Sequence, residues 1–185
     1  MTNKEKARAY FSAVNRYDTM AIEAMVDENY IQHNPNVPTG RAAFLALIPK
    51  LQAHQTQIEN IRILEDGDFV AMHHRWKNAW PLGGESLVAF HVIRFDSAGL
   101  IAEHWSAIDN PGSGNEVKAL SYTKQHKILS EGNLVLMISE GEQDEKPAAI
   151  YDLLCFQGGR VVEHSNITQL IPQTRTINNN TMFGF

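Results

Sequence analysis

The feature that most limits how this chain can fold is a repeat that copies strands without copying helices. Ile63-Leu64-Glu65-Asp66-Gly67-Asp68-Phe69-Val70-Ala71-Met72 aligns with Ile128-Leu129-Ser130-Glu131-Gly132-Asn133-Leu134-Val135-Leu136-Met137 at an offset of 65. Gly99-Leu100-Ile101-Ala102-Glu103-His104 aligns with Gly159-Arg160-Val161-Val162-Glu163-His164 at an offset of 60, and the difference is a loop shortened by five residues. Self-similarity of this kind marks a repeated structural unit. The stretch between Asn115 and Tyr122 is too short to repeat helices that precede the first copy. The second copy therefore has apolar strand faces with no cover of their own, and it must pack on the first copy or on another subunit. A chain of 185 residues suits one domain and is tight for two. The division expected is a complete unit over residues 1–110 and a strands-only partial copy over 111–185 with an Asn-rich tail. Asn110-Pro111-Gly112-Ser113-Gly114-Asn115 reads as the linker.

Ahead of the strands, Ala7, Tyr10, Phe11 and Val14 fall at helical spacing, and Asp18 is placed to cap a second helix bearing Ala21, Ile22, Met25 and Val26. Tyr30-Ile31-Gln32-His33-Asn34-Pro35 reads as a strand stopped by Asn-Pro. Thr39 is placed to cap a third helix with Phe44, Leu47, Ile48 and Leu51, kinked or ended early by Pro49. Four strand-like segments follow, Ile58 to Leu64, Asp68 to Trp76, Leu87 to Asp96 and Gly99 to Ile108. Helices followed by an antiparallel meander predict an α+β fold in which helices pack on one face of a strongly curved antiparallel sheet.

Sixteen basic against 21 acidic residues give a net charge of −5, without the basic cluster that nucleic acid or an anionic membrane requires. No apolar run approaches the ~20 residues of a membrane-spanning helix, and the polar first residues do not read as a signal peptide, so the cytoplasm is expected. The lone Cys155 reads as a core residue.

The histidines carry the chemistry that the sequence offers. A turn tipped by Ser97 and Ala98 pairs residues whose numbers sum to 195, which sets His91 opposite His104 on a face shared with Leu87, Ala89, Ile93, Ala102 and Ser106. Two imidazoles on an apolar wall suit a pocket with acid/base groups. His73 and His74 are adjacent on a strand and point to opposite faces, and no His-x-His or carboxylate spacing supports a metal site. Asp109 and Asp152 are alternative bases. Glu103 and Glu163 alternate with their His neighbours and face away from them. Trp76, Trp80 and Trp105 fill cores more often than they bind ligands, though aromatics on a curved sheet suit a planar apolar molecule.

The run of helix, helix, Tyr30-Ile31-Gln32-His33-Asn34-Pro35, helix, then strands ending in Gly99-Leu100-Ile101-Ala102-Glu103-His104-Trp105 resembles the nuclear transport factor 2-like superfamily, and within it the SnoaL-like polyketide cyclase group. In that group a strand reading QHNP and a last strand ending in EHW recur. The tail Asn178-Asn179-Asn180-Thr181-Met182-Phe183 is similar to the group's Asn-rich ending. The resemblance implies a cystatin-like cone with an internal pocket, usually in a homodimer packed sheet to sheet, and acid/base chemistry on a carbon acid beside a carbonyl without a cofactor. It places His33 and His104 in the pocket, with Tyr30 and Trp105 shaping the wall. The chain departs from the pattern at Ser106, where an Asp is common, and at Ser165 and Asn166, where Trp and Asp are usual. The second copy thus reads as structural, supplying a surface that a partner subunit would otherwise cover.

Two functions follow as expectations. One is a lyase or isomerase of aldol or cyclase type on a small hydrophobic carbonyl compound, with His33, His104, His91 and Asp109 as catalytic candidates and Tyr30, Trp76 and Trp105 as substrate-binding candidates. The other is a non-catalytic binder of small hydrophobic molecules that has lost the catalytic carboxylate. Neither calls for a metal or cofactor.

Overall fold

The computed structural model describes residues 1–109, 119–174 and 177–185. The first helix, α1 (Asn3–Asn15), starts at a capping box in which Thr2 and Glu5 satisfy each other's backbone N–H groups, and it buries Ala7, Tyr10, Phe11 and Val14. The Asp18 carboxylate accepts from the Ala21 N–H at 3.0 Å and starts α2 (Thr19–Met25), which runs directly into β1 (Val26–Gln32). The expected third helix is two short ones, α3 (Arg41–Leu45) and α4 (Ile48–Ala53). Pro49 sits in the first turn of α4, where its missing N–H has no partner to lose, so the helix restarts there and does not kink. Thr39 caps neither helix. Its hydroxyl accepts from the Gln32 N–H at 3.1 Å and donates to the Tyr30 carbonyl at 3.4 Å, tying the loop of residues 33–40 to β1.

The first sheet adds β2 (Gln57–Asp66), β3 (Phe69–Lys77), β4 (Ser86–Phe95) and β5 (Ile101–Asp109) in the order β1-β5-β4-β3-β2, with β1 parallel to β5 and the rest antiparallel. The β4–β5 register differs from the expected one. His91 pairs with Ser106 and Ile93 with His104, a displacement of two residues from the direct His91–His104 pairing. Because the displacement is even, both histidines keep the same face. The turn is also larger than expected: the Asp96 carboxylate accepts from the Leu100 N–H at 2.9 Å, and Gly99 takes φ +78°. Ala102 is then left out of the ladder, since Arg94 pairs with Glu103 and Phe95 with Ile101. This bulge sends Ile101, instead of Ala102, into the core beneath the helices.

The second sheet contains β6 (Leu120–Glu131), β7 (Leu134–Gln143), β8 (Lys146–Gln157) and β9 (Arg160–Leu170) in sequential antiparallel order, with no helix joining them among the described residues. The aligned sequence blocks fall on equivalent hairpins, β2–β3 with β6–β7 and β4–β5 with β8–β9. Even the bulge recurs: Cys155 pairs with Glu163 and Phe156 with Val161, leaving Val162 in the position of Ala102. The cover for the second sheet comes from the same chain. Leu64, Ala71, Phe90, Val92 and Trp105 of the first sheet form one buried cluster with Leu129, Leu136, Ile138, Tyr151, Leu153 and Ile167 of the second. Hairpin tips are also joined, with Glu131 accepting from Lys4 Nζ at 2.5 Å and from the Glu65 N–H at 2.9 Å. The expected boundary at 110 and linker of 110–115 lie outside the described residues. Cys155 is half-buried, not core, and its sulfur accepts from Asn133 Nδ2 at 3.2 Å.

The last residues return to the first unit. Asn178 Nδ2 donates to the carbonyls of Asn34 and Val37 at 2.8 and 2.6 Å, Asn180 Nδ2 to that of Gln32 at 2.9 Å, and the Ile177 N–H to that of Pro35 at 2.9 Å. Since the two sheets share one core, Ile138→Ala, at a fully buried position in the second sheet, should destabilise the whole chain by about 2–5 kcal/mol. In urea, tryptophan fluorescence reads only the first unit, because Trp76, Trp80 and Trp105 all lie there. It should shift together with far-UV circular dichroism; an unchanged fluorescence transition in this variant would contradict a shared core.

Candidate functional site

Alternation along β3, β4 and β5 turns His74, His91 and His104 toward the helices, and all three are buried, at 1%, 3% and 5% exposure. The even register shift makes His91 and His104 diagonal neighbours, close enough for a 2.8 Å contact between His91 Nδ1 and His104 Nε2. The His74 ring centroid lies 5.2 Å from that of His91. Phe11 from α1 packs edge-on against His74 at 4.3 Å, and Trp76 lies 5.6 Å from His91.

The direction of hydrogen bonding through this array follows from β1. The Asn34 N–H donates to Gln32 Oε1 at 2.9 Å, which fixes the amide, and Gln32 Nε2 donates to the Tyr30 oxygen at 3.0 Å. The Tyr30 hydroxyl is then free to donate to His104 Nδ1 at 2.8 Å, with Gln32 Nε2 also 3.3 Å from that nitrogen. A neutral His104 accepting at Nδ1 carries its proton on Nε2 and donates it to His91 Nδ1. His91 therefore carries its own proton on Nε2, a buried donor without a partner among the described residues. His74 Nδ1 and Trp76 Nε1 are likewise buried and unpartnered among the described residues. Such groups cost free energy unless something meets them, and three of them sit on one wall.

Burial is also the main cause of the depressed basicity of these rings. It brings His74 and His104 down to about 3, aided at His74 by the nearby His104 and at His104 by His33, and it holds His91 well below the usual imidazole range. Burial likewise holds the Tyr30 hydroxyl far above its ordinary value, so it stays a donor.

His33 and Trp105, expected in the pocket, lie on the opposite face of the sheet. The His33 N–H donates to the His104 carbonyl at 2.8 Å, but its side chain turns toward the second sheet, where Nδ1 donates to the Thr181 carbonyl at 2.7 Å and Nε2 lies 2.8 Å from Glu103 Oε2. Its ring stacks on Trp105 at 4.3 Å, and Trp105 in turn stacks on Phe185 at 4.6 Å. Glu103 does face away from His104, as expected; burial pushes its carboxyl up, but His33 and Arg94 more than offset this and hold it below the ordinary carboxylate range. Gln32 is the site residue that the sequence reading missed. Its spacing of two from Tyr30 on one strand was the available signal.

Asp109, at the end of β5, lines a cavity of about 270 Å³ at the mouth of the cone with Asn34, Val37, Leu82, Leu87 and Gln169. An adjoining cavity of about 360 Å³ is lined by Val37, Pro38, Phe44, Leu47, Lys50 and Leu82. A third, of about 200 Å³, opens beside His74 between α1 and the edge of the sheet, lined by Phe11, Asn15, Ile58 and Met72. Leu87 is the cross-strand partner of Trp76, and Phe44 packs on Tyr30 with ring centroids 6.4 Å apart. One layer of side chains thus separates the mouth from the polar array. Among the described residues, no group of three or more His, Cys, Asp or Glu is arranged to hold a metal ion, and no helix is long and apolar enough to cross a membrane.

A bent antiparallel sheet with helices across one face and a polar array beneath them defines a cystatin-like cone. The description of a SnoaL-like domain matches residues 7–104, more than half of the chain, and the chain belongs to that family. Among solved structures it is similar to a ketosteroid-isomerase candidate from Kribbella flavida, at 22% identity and TM-score 0.52 over 62% of this chain and 83% of that one. It is similar also to a nuclear transport factor 2-like protein of unknown function from Cytophaga hutchinsonii, at 14% identity and TM-score 0.50 over 59% and 91%. A third likeness is to a cystatin-like protein of unknown function from Methylobium petroleophilum, at 15% identity and TM-score 0.52 over 62% and 80%. These likenesses show the fold. No curated protein matches the chain.

The neutral array has a consequence for stability. The unfolded chain takes up protons on these histidines near pH 6.5, whereas the folded chain resists until about pH 3 for His74 and His104. Stability should therefore fall as pH drops from about 6.5, by up to about 1.4 kcal/mol per pH unit for each buried histidine. The urea midpoint should be lower at pH 5 than at pH 7, and His74→Phe should flatten the dependence by about a third if the three contribute equally. Equal midpoints at the two pH values would show that the array takes up protons in the folded chain as readily as in the unfolded one.

Proposed function

We propose that the first unit is a binding protein for a small, mostly apolar molecule bearing a carbonyl or similar hydrogen-bond acceptor. The observation that carries this reading is a pair of buried donors with no partner among the described residues, His91 Nε2–H and Trp76 Nε1–H, one layer of side chains behind the cavity mouth. An acceptor that enters past Leu87 and Phe44 to reach them satisfies groups that otherwise cost about 1–3 kcal/mol each. The apolar mouth formed by Phe44, Leu47 and Leu82 suits the body of such a molecule. The surroundings of His91 do not favour proton abstraction: its neighbours are Phe11, His74, Trp76 and His104, all rings, and an imidazole depressed this far is a weak base at neutral pH.

One observation favours the second reading, an acid/base isomerase or lyase. Asp109 places a carboxylate in the mouth cavity beside Leu87 and Ile108. Both readings are tested with acetophenone in deuterium oxide. Binding, read by quenching of tryptophan fluorescence and by shifts of the His91 ring resonances, should weaken about tenfold in His91→Phe, since a hydrogen bond to a neutral group is lost. The methyl protons of bound ketone should not exchange faster than in buffer. Exchange that is accelerated by the wild type and lost in Asp109→Asn would establish the second reading, and the absence of any saturable binding would sink the first.

A further inference from the structure

The second sheet reproduces a contact of the first with different residues. Matching β9 to β5 at the offset of 60 sets His164 in the place of His104 and Asn166 in that of Ser106. The cross-strand partner of Ser106 is His91, and that of Asn166 is Asp152. The imidazole pair of the first sheet thus has a counterpart, Asp152 with His164, joined from Oδ1 to Nε2 at 2.6 Å. The sequence offers Asp152 as a possible base but does not join it to His164, because the expected carboxylate lies beside His164 on β9. The carboxylate is on the neighbouring strand.

Asp152 is 2% exposed, and three donors converge on it: His164 Nε2–H, Asn166 Nδ2 at 2.8 Å, and the Tyr122 hydroxyl at 3.1 Å. The His164 side chain, in contrast, is half exposed. With Nε2–H given to the carboxylate, the lone pair of a neutral His164 lies on Nδ1, which has no partner among the described residues. These groups occupy the face turned away from the first sheet, since the flanking Tyr151 and Leu153 enter the core between the sheets. Ile128, Met137 and Asp152 form one cross-strand row on this outer face, and Ile128 and Tyr122 remain 51% and 54% exposed. A cavity of about 290 Å³ adjoins them, lined by Tyr122, Gln125, Met137 and Ser139. Gly141 permits this arrangement: a Cβ there would stand 2.0 Å from the Ser121 carbonyl oxygen, so β6 crosses close over β7 just where Tyr122 reaches toward Asp152.

We propose that this outer face is a second binding site, for a weakly acidic hydroxyl compound such as a phenol or enol, whose O–H proton passes to Nδ1 of His164. The ligand becomes the oxyanion and the ring an imidazolium, with the Asp152 carboxylate behind it balancing the new positive charge. A lone pair on a carboxylate-held imidazole calls for a donor, and the half-buried Met137 across from Asp152, with the exposed Ile128 beyond it, suits an apolar ring on that donor. Tyr122 does not compete for the proton, because partial burial and Asp152 push its hydroxyl up to about 12.

The probe is 4-nitrophenol at a pH where the free phenol is mostly protonated. Wild type should give a saturable rise in nitrophenolate absorbance, and histidine ring 15N–1H correlation should show His164 passing from protonation at Nε2 alone to protonation at both nitrogens. Asp152→Asn and His164→Gln should each weaken the signal about tenfold or more, as loss of a charge-assisted contact predicts. A phenolate signal kept in both variants, no signal in the wild type, or a ring already closed off by self-association in sedimentation would each overturn the proposal. Should either variant fail to fold, as judged by circular dichroism, the wild-type ring titration decides.

Discussion

The five-stranded sheet is buried on both faces, and this one constraint sorts nearly every residue of interest. Helices α1 to α4 lie against one side and a second sheet against the other. Successive side chains on β3, β4 and β5 therefore enter different interiors. His74 meets Phe11 from the helices while its neighbour His73 meets Phe90 between the sheets. His104 joins the imidazole array while Trp105, one residue on, stacks against His33 and Phe185. A sheet with one wet face would have allowed polar residues on alternate positions. Here a polar group in either set costs free energy unless it finds a partner, which is why the orphaned donors around the histidines are informative.

How much of this was legible in the sequence depended on whether local pattern or long-range geometry set the answer. Helix α1, the Asp18 cap and the four strands of the first meander follow from spacing and turn chemistry and lie close to where periodicity sets them. The pairing of His91 with His104 on one face survived an incorrect register because parity, not the specific partner, decides the face. The bulge at Ala102 had no signal of its own in one copy; its recurrence at Val162 is visible only once the pairing is known. His33 and Trp105 were misplaced because family resemblance carries residue types, whereas alternation against two interiors decides which side of the sheet they serve. The sequence offers Asp152 as a base but does not join it to His164, because the family pattern sets a carboxylate on the strand of His164 itself and joining the two takes the β8–β9 register.

The two polar clusters show how surroundings change the use of similar geometry. In the first sheet the chain of donors runs from the Asn34 amide through Gln32, Tyr30 and His104 to His91, and every member is neutral and dry. Such a chain presents a fixed donor at its end and resists taking a proton. In the second sheet a carboxylate stands where His91 would, and its imidazole partner reaches water. The tail residues Asn178 and Asn180 stabilise the first cluster indirectly, by holding the backbone of residues 32–39 that carries Gln32 and Asn34.

When copies of one chain meet about a twofold axis, every substitution appears on both sides of the interface at once, so neither half can specialise without the other. The joining of both sheets in a single chain removes that restraint. The shared hydrophobic core can be kept while residues that point away from it drift independently. The exchange of His91 for Asp152 at equivalent ladder positions is a change that a symmetric pair of identical chains could not make on one side alone.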